Sequence, residues 1–191
     1  MLAFTEYNDT MMKVLAAQIS RTTSKYETFL HDDNIHNYID VRGIRAACWQ
    51  YAQYFNLIER YINRGRRTIK TVGDIGCGVG LGYLTFKEFF SHLDVEFISL
   101  KRNVGYVNKY DHLLEALEVP CVDYYGNFEL TQDPPVFPQV NLDVGIAHRV
   151  VLGQPTYDWT IMKPLFAPGG LLLTTDNNQV FNFDIKHVTF K

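Results

Sequence analysis

The segment Val72-Gly73-Asp74-Ile75-Gly76-Cys77-Gly78-Val79-Gly80 holds the residue types and spacing best suited to ligand chemistry. Glycines at alternate positions let a backbone bend sharply and approach a ligand where a Cβ would intrude. Asp74, two residues before Gly76, would repel a pyrophosphate but can hold a cationic group such as an ammonium. A dinucleotide fingerprint needs its third glycine at position 81, which is leucine, and no Gly-Lys-Ser/Thr follows as a phosphate loop requires. A tight turn with no ligand is the simpler alternative at this stage.

Such a turn needs a strand before it and a helix after it, and the hydrophobic rhythm supplies both. Ile69 to Ile75 reads as a strand and Leu81 to Ser91 as a helix. Short apolar runs then alternate with helical patterns: a strand at Val95 to Leu100, a helix at Val104 to Glu118 and a strand at Cys121 to Tyr125. Beyond a proline-containing connection, Asp133 to Pro138, come a strand at Leu142 to Ala147 and a short helix at Asp158 to Phe166, distorted by Pro164. A fifth strand covers Leu171 to Thr175, and Val180 to Phe190 alternates as one or two more. This alternation predicts an α/β chain with a mostly parallel sheet. Ahead of it, a loose helical pattern spans Glu6 to Leu30. A stronger one, capped by Asp40, carries Ile44, Cys48, Tyr51, Phe55, Ile58 and Ile62 on one face and ends at Arg64-Gly65-Arg66-Arg67. Residues 1–67 are expected to form a helical cap on a core of residues 68–191.

The chain has 191 residues, 47% of them hydrophobic and 20% charged, enough for a substantial core and incompatible with a disordered chain. No apolar run reaches transmembrane length, and the first residues lack the pattern of a secretory leader. Cys48, Cys77 and Cys121 are odd in number and form no C-x-x-C pair, which suggests reduced thiols in a cytoplasmic setting. A net charge of -3 gives no general pull toward nucleic acid or anionic membrane.

The acid-x-Gly-x-Gly-x-Gly pattern of Asp74, Gly76, Gly78 and Gly80 resembles the first motif of class I S-adenosylmethionine-dependent methyltransferases. Leu165-Phe166-Ala167-Pro168-Gly169-Gly170-Leu171 is similar to the Pro-Gly-Gly turn that the family places before strand five. The likeness covers roughly Thr68 to Thr175. It implies a Rossmann-like, mostly parallel sheet with flanking helices, behind the N-terminal helical cap. The short tail after strand five departs from the family, which normally adds a helix and a strand hairpin there, and gives shortened C-terminal strands. The likeness also implies S-adenosylmethionine as cofactor, with Asp74 near the methionine ammonium and Gly76, Cys77, Gly78 and Gly80 passing under the methionine and ribose. An ungapped reading puts Ser99 and Leu100 where the family has an acid for the ribose hydroxyls, with Asn103 or a backbone group assisting. Asn127 and Phe128 stand where the family holds the adenine, the amide accepting a hydrogen bond and the ring stacking. His148 and Arg149 fall where methyl and acceptor should meet.

By this resemblance the chain transfers a methyl group to a small-molecule acceptor, with His148 taking a proton if the acceptor must lose one. A histidine that merely lines the pocket, and an Arg149 in a surface ion pair, remain alternatives. So do two other functions: a methyltransferase-like binding or scaffold protein without turnover, motivated by Ser99, Asn127 and the short tail, and an NADP-dependent reductase using Lys101 and Arg102. Trp49, Tyr51, Tyr54, Phe55 and Tyr61 could wall an acceptor pocket, although helical spacing explains most of them as core. His31, Asp32, Asp33 and His36 have no metal-ligand spacing and read as an exposed loop. Arg64, Arg66, Arg67 and Lys70 read as a solvated helix end or a contact for a phosphate-bearing substrate. An unpaired C-terminal edge strand would permit pairing with a second subunit.

Overall fold

A computed structural model describes residues 6–25, 40–65, 67–103, 109–126, 135–148, 158–175 and 184–191. Two helices come first, α1 (Glu6–Ser24) and α2 (Val41–Asn63). The Asp40 carboxylate caps α2 as its sequence predicts, accepting the backbone N–H groups of Arg42 at 3.2 Å and Gly43 at 3.3 Å. At the other end Gly65, with φ of +59°, turns the chain out of the helix, and its N–H closes on the Ile62 carbonyl. An Arg45–Asp9 ion pair joins α2 to α1.

The remaining chain runs β1 (Thr71–Ile75), α3 (Leu81–Phe89), β2 (Glu96–Asn103), α4 (Lys109–Ala116), β3 (Cys121–Tyr125), β4 (Leu142–Ala147), a 3-10 helix (Trp159–Leu165), β5 (Phe166–Thr174) and β6 (Lys186–Thr189). These strands form one six-stranded sheet in the order β3-β2-β1-β4-β5-β6, parallel except for β6. β6 forms one edge of the sheet. Strands β3 and β4 have the bounds read from the sequence, and Pro164 lies inside a 3-10 helix where the sequence predicts a short helix distorted by that proline.

Several boundaries differ by a residue or more, three of them with a visible structural cause. β2 continues past Leu100 to Asn103 because its last residues pair with β3, Lys101 beside Asp123 and Asn103 beside Tyr125. β5 begins at Phe166 rather than Leu171. Phe166 already pairs with Leu142, and the Pro-Gly-Gly segment bulges out before pairing resumes at Val144 and Leu171. Gly169 N–H donates to the Phe190 carbonyl, and Phe190 N–H donates to the Gly170 carbonyl, so the tail stitches this bulge in place. α1 ends at Ser24, short of Leu30, where the Ser24 and Thr22 hydroxyls bond back to carbonyls of their own helix.

One face of the sheet, with Val72, Val144, Ile146, Leu171 and Leu173, shares a hydrophobic cluster with side chains from α1 to α4. The other face packs Ile75, Leu100, Leu142 and Leu172 against Met162 and Leu165 of the 3-10 helix. Among the described residues no helix is long and apolar enough to cross a membrane.

Candidate functional site

The chain winds outward from β1 to β3, then returns to place β4 on the other side of β1. In open parallel sheets such a reversal, here at the carboxyl ends of β1 and β4, marks the crevice where ligands bind. The glycine turn follows β1, and His148 follows β4. Two segments far apart in sequence thus meet at one rim.

The turn is built from positive-φ backbone, with φ of 72° at Gly76, 55° at Gly78 and 80° at Gly80. The N–H groups of Gly76 and Cys77 both donate to the Leu100 carbonyl, fastening the turn to β2. Gly78 is exposed and Gly76 half-buried, so backbone is accessible at these two positions. Gly80 has a different task. It is buried as the first cap of α3, and a Cβ there would lie 2.6 Å from a Val119 methyl.

Asp74 lies beneath the turn and is wholly buried. Its Oδ1 accepts the Tyr51 hydroxyl at 3.2 Å, and its Oδ2 has no hydrogen-bond partner among the described residues. Burial pushes its pKa up to about 7, opposed by the Tyr51 hydrogen bond. Gly82 makes this close packing possible, since a Cβ there would fall 2.3 Å from Asp74 Oδ2 and 2.8 Å from the Tyr51 ring.

Tyr51 also reaches the other side of the crevice. Its ring centroid lies 4.9 Å from that of His148, and Tyr54 meets the same imidazole edge-on at 5.9 Å. Both His148 ring nitrogens are shielded from solvent. The apolar stripe of α2 already contained Tyr51. Its position on the sheet-facing side of a capping helix was the available signal for its role as the link between Asp74 and His148. Of the other aromatics considered, Tyr54 and Phe55 are buried, Trp49 is exposed, and the Tyr61 hydroxyl meets His187 at 3.2 Å.

Ser99 is level with Asp74 in the β1–β2 register, inside the sheet rather than at its rim. Its hydroxyl is buried without a hydrogen-bond partner among the described residues. Lys101 and Asn103 are what β2 presents beyond the turn. Lys101 pairs with Asp111 and lies 3.6 Å from Asp123, and Asn103 donates to Asp123 at 2.6 Å. The Lys101 ammonium therefore already has carboxylate partners. Asn127, Phe128, Arg149, Arg66 and the His31 to His36 group lie outside the described residues. No group of three or more metal-capable side chains gathers among the described residues.

Arg67 and Lys70 are at the opposite end of the sheet, where they line a cavity of about 310 Å³ with Glu59, His92 and Asp94. Arg67 donates to the Gly169 carbonyl at 2.6 Å, and Lys70 pairs with Asp94 at 3.1 Å. This basic cluster is separate from the glycine turn.

No family model matches the sequence, and no curated protein matches it. Solved structures do match. The plantazolicin methyltransferase BamL, in complex with a triazolic desmethylPZN analog and SAH, gives a TM-score of 0.52 at 13% identity, covering 87% of this chain and 59% of that one. The CMeT domain of the citrinin polyketide synthase gives 0.51 at 16% identity, covering 75% of this chain and 39% of that one. The chain has the class I S-adenosylmethionine-dependent methyltransferase fold. In this methyltransferase fold the glycine turn after β1 and His148 after β4 share the crevice described above. The chain spans less than two thirds of the length of either relative.

Proposed function

We propose that the chain binds S-adenosylmethionine at the Gly76–Gly80 turn and transfers its methyl group to a small-molecule acceptor beside His148. The observation that carries this reading is the meeting of an exposed glycine backbone, the buried Asp74 beneath it and the Tyr51–His148 pair at one crevice. The residues fit such a cofactor. Gly76 and Gly78 leave room for close approach, and Asp74 retains a carboxylate oxygen with no partner among the described residues, which favours a cation nearby. Asp74 is buried, so its charge acts from below the turn rather than by lining the open rim.

The bound sulfonium would supply an electrophilic methyl, leaving the chain to position the acceptor and exclude water. Tyr51 and Tyr54 hold the His148 ring in place from the α2 side. Where the acceptor must lose a proton, His148 takes it as general base. The solved relatives act on natural products by their names, which supports a small organic acceptor over a macromolecule.

Titration calorimetry with S-adenosylmethionine and S-adenosylhomocysteine tests the reading. Saturable binding of both is expected. No heat from either ligand at about 1 mM, where even a weak site of about -4 kcal/mol would begin to fill, would rule it out. Binding without cofactor consumption across a broad acceptor panel would replace methyl transfer with a binding role.

A further inference from the structure

Cys77 sits in the glycine turn, and Cys121 opens β3, on the far side of β2. The fold brings their sulfurs to 3.9 Å. We propose that this pair is an oxidation site, at which a hydroperoxide joins the two thiols in a disulfide that ties the glycine turn to β3.

The two thiols are unequal in a way that suits a stepwise reaction. Cys121 is half-buried, whereas Cys77 is 3% exposed. A hydrogen bond from Cys77 lowers the Cys121 pKa, and the Lys101 ammonium lowers it further. The same hydrogen bond and burial raise that of Cys77, with the Asp74 charge adding to the effect. Cys121 is thus the more exposed and more readily ionised of the two thiols, and Cys77 the less. Bonding requires the sulfurs to close to about 2.05 Å, and Gly76 and Gly78 on either side of Cys77 give the turn freedom to move. Cys48 is fully buried, with its pKa pushed up to about 11 by burial, and serves as an internal control.

The Cys121 thiolate attacks the peroxide O–O bond, forming a sulfenic acid as the leaving oxygen takes a proton and departs as an alcohol or water. The Cys77 sulfur then attacks the sulfenic sulfur. Its proton and the sulfenic hydroxyl leave as water. Overall, two thiols lose two electrons and two protons while the hydroperoxide is reduced to an alcohol or water, with a second water released. The crosslink stands on sulfur geometry alone. Its consequence, weaker ligand binding at a tethered turn, rests on the proposed methyl-transfer reading.

The full chain, reduced and desalted, is treated with equimolar hydrogen peroxide, alkylated and analysed by intact mass and non-reducing peptide mapping. The expected product has lost two hydrogens, contains a linked Cys77–Cys121 peptide and leaves Cys48 free for alkylation after denaturation. Dithiothreitol should reverse it. Cys48→Ser should give the same link, and Cys121→Ser should give none. Cys121 carried to the sulfinate with Cys77 still free, a link through Cys48, a disulfide between two chains, or no oxidation would each overturn the proposal. Calorimetry with S-adenosylhomocysteine on both forms reads the consequence, with at least a tenfold loss of affinity expected after oxidation. If neither form binds, the functional reading fails while the mass result still decides the disulfide.

Discussion

The Tyr51 hydroxyl donates to Asp74 Oδ1 at 3.2 Å, tying helix α2 to strand β1 directly under the glycine turn. Tyr51 is also the side chain that meets His148. Both sides of the crevice therefore depend on one aromatic residue contributed by the N-terminal helices.

Tyr51→Phe removes the donor and leaves both oxygens of the buried carboxyl without the tyrosine. The expected cost is about 1–3 kcal/mol of stability, the usual range for abandoning a buried polar group. Urea denaturation measures it. Because the tyrosine hydrogen bond lowers the Asp74 pKa, the variant should also titrate at higher pH. An unchanged denaturation midpoint and pH profile would show that the bond contributes nothing.

Gly82→Ala separates two opposing effects. Helix propensity alone would make alanine stabilising by about 1 kcal/mol in α3. The new Cβ, however, would sit 2.3 Å from Asp74 Oδ2, and such overpacking costs about 1–3 kcal/mol. A lower melting temperature is expected. A higher one would mean that Asp74 and Tyr51 yield without cost.

The Asp74 titration makes stability depend on pH with a definite sign. The ordinary aspartate value is 3.8, and the folded value is about 7. Between them the folded chain holds the proton and the unfolded chain does not. The contribution is therefore fully present below about pH 4 and lost as pH rises through about 7, amounting to on the order of 4 kcal/mol. The groups acting electrostatically on or with this carboxyl are the Tyr51 hydroxyl and the Cys77 and Cys121 thiols. Denaturation at a series of pH values should show a flatter dependence for Asp74→Asn than for the parent chain. Parallel curves would contradict the burial argument.

His148→Gln should divide binding from chemistry. Once an acceptor is found whose methylation requires proton loss, turnover is expected to fall by about 100-fold. Affinity for S-adenosylhomocysteine should change little. Turnover within a factor of about two of the parent would assign His148 to the pocket wall instead.

Much of this protein follows from local chemistry. Asp40 announces the start of α2, the apolar runs of β3 and β4 mark their own ends, and alternate glycines after β1 declare a turn. These features depend on neighbours a few residues away, so a linear reading finds them. Other features depend on long-range pairing. An ungapped count from Asp74 puts Ser99 at the family's ribose position; the register, which counting does not supply, sets Asp74 and Ser99 side by side and lets β2 run on to Asn103. The extra length comes from pairing with β3, which counting along β2 does not include. The Pro-Gly-Gly segment likewise became a bulge within β5 because Phe190, at the far end of the chain, bonds both glycines. The Tyr51–Asp74–His148 link and the approach of Cys77 to Cys121 have the same origin. Sequence chose the groups, while the strand-order reversal and the packing of α2 brought them together, because proximity across a sheet is set by register and burial rather than by distance along the chain.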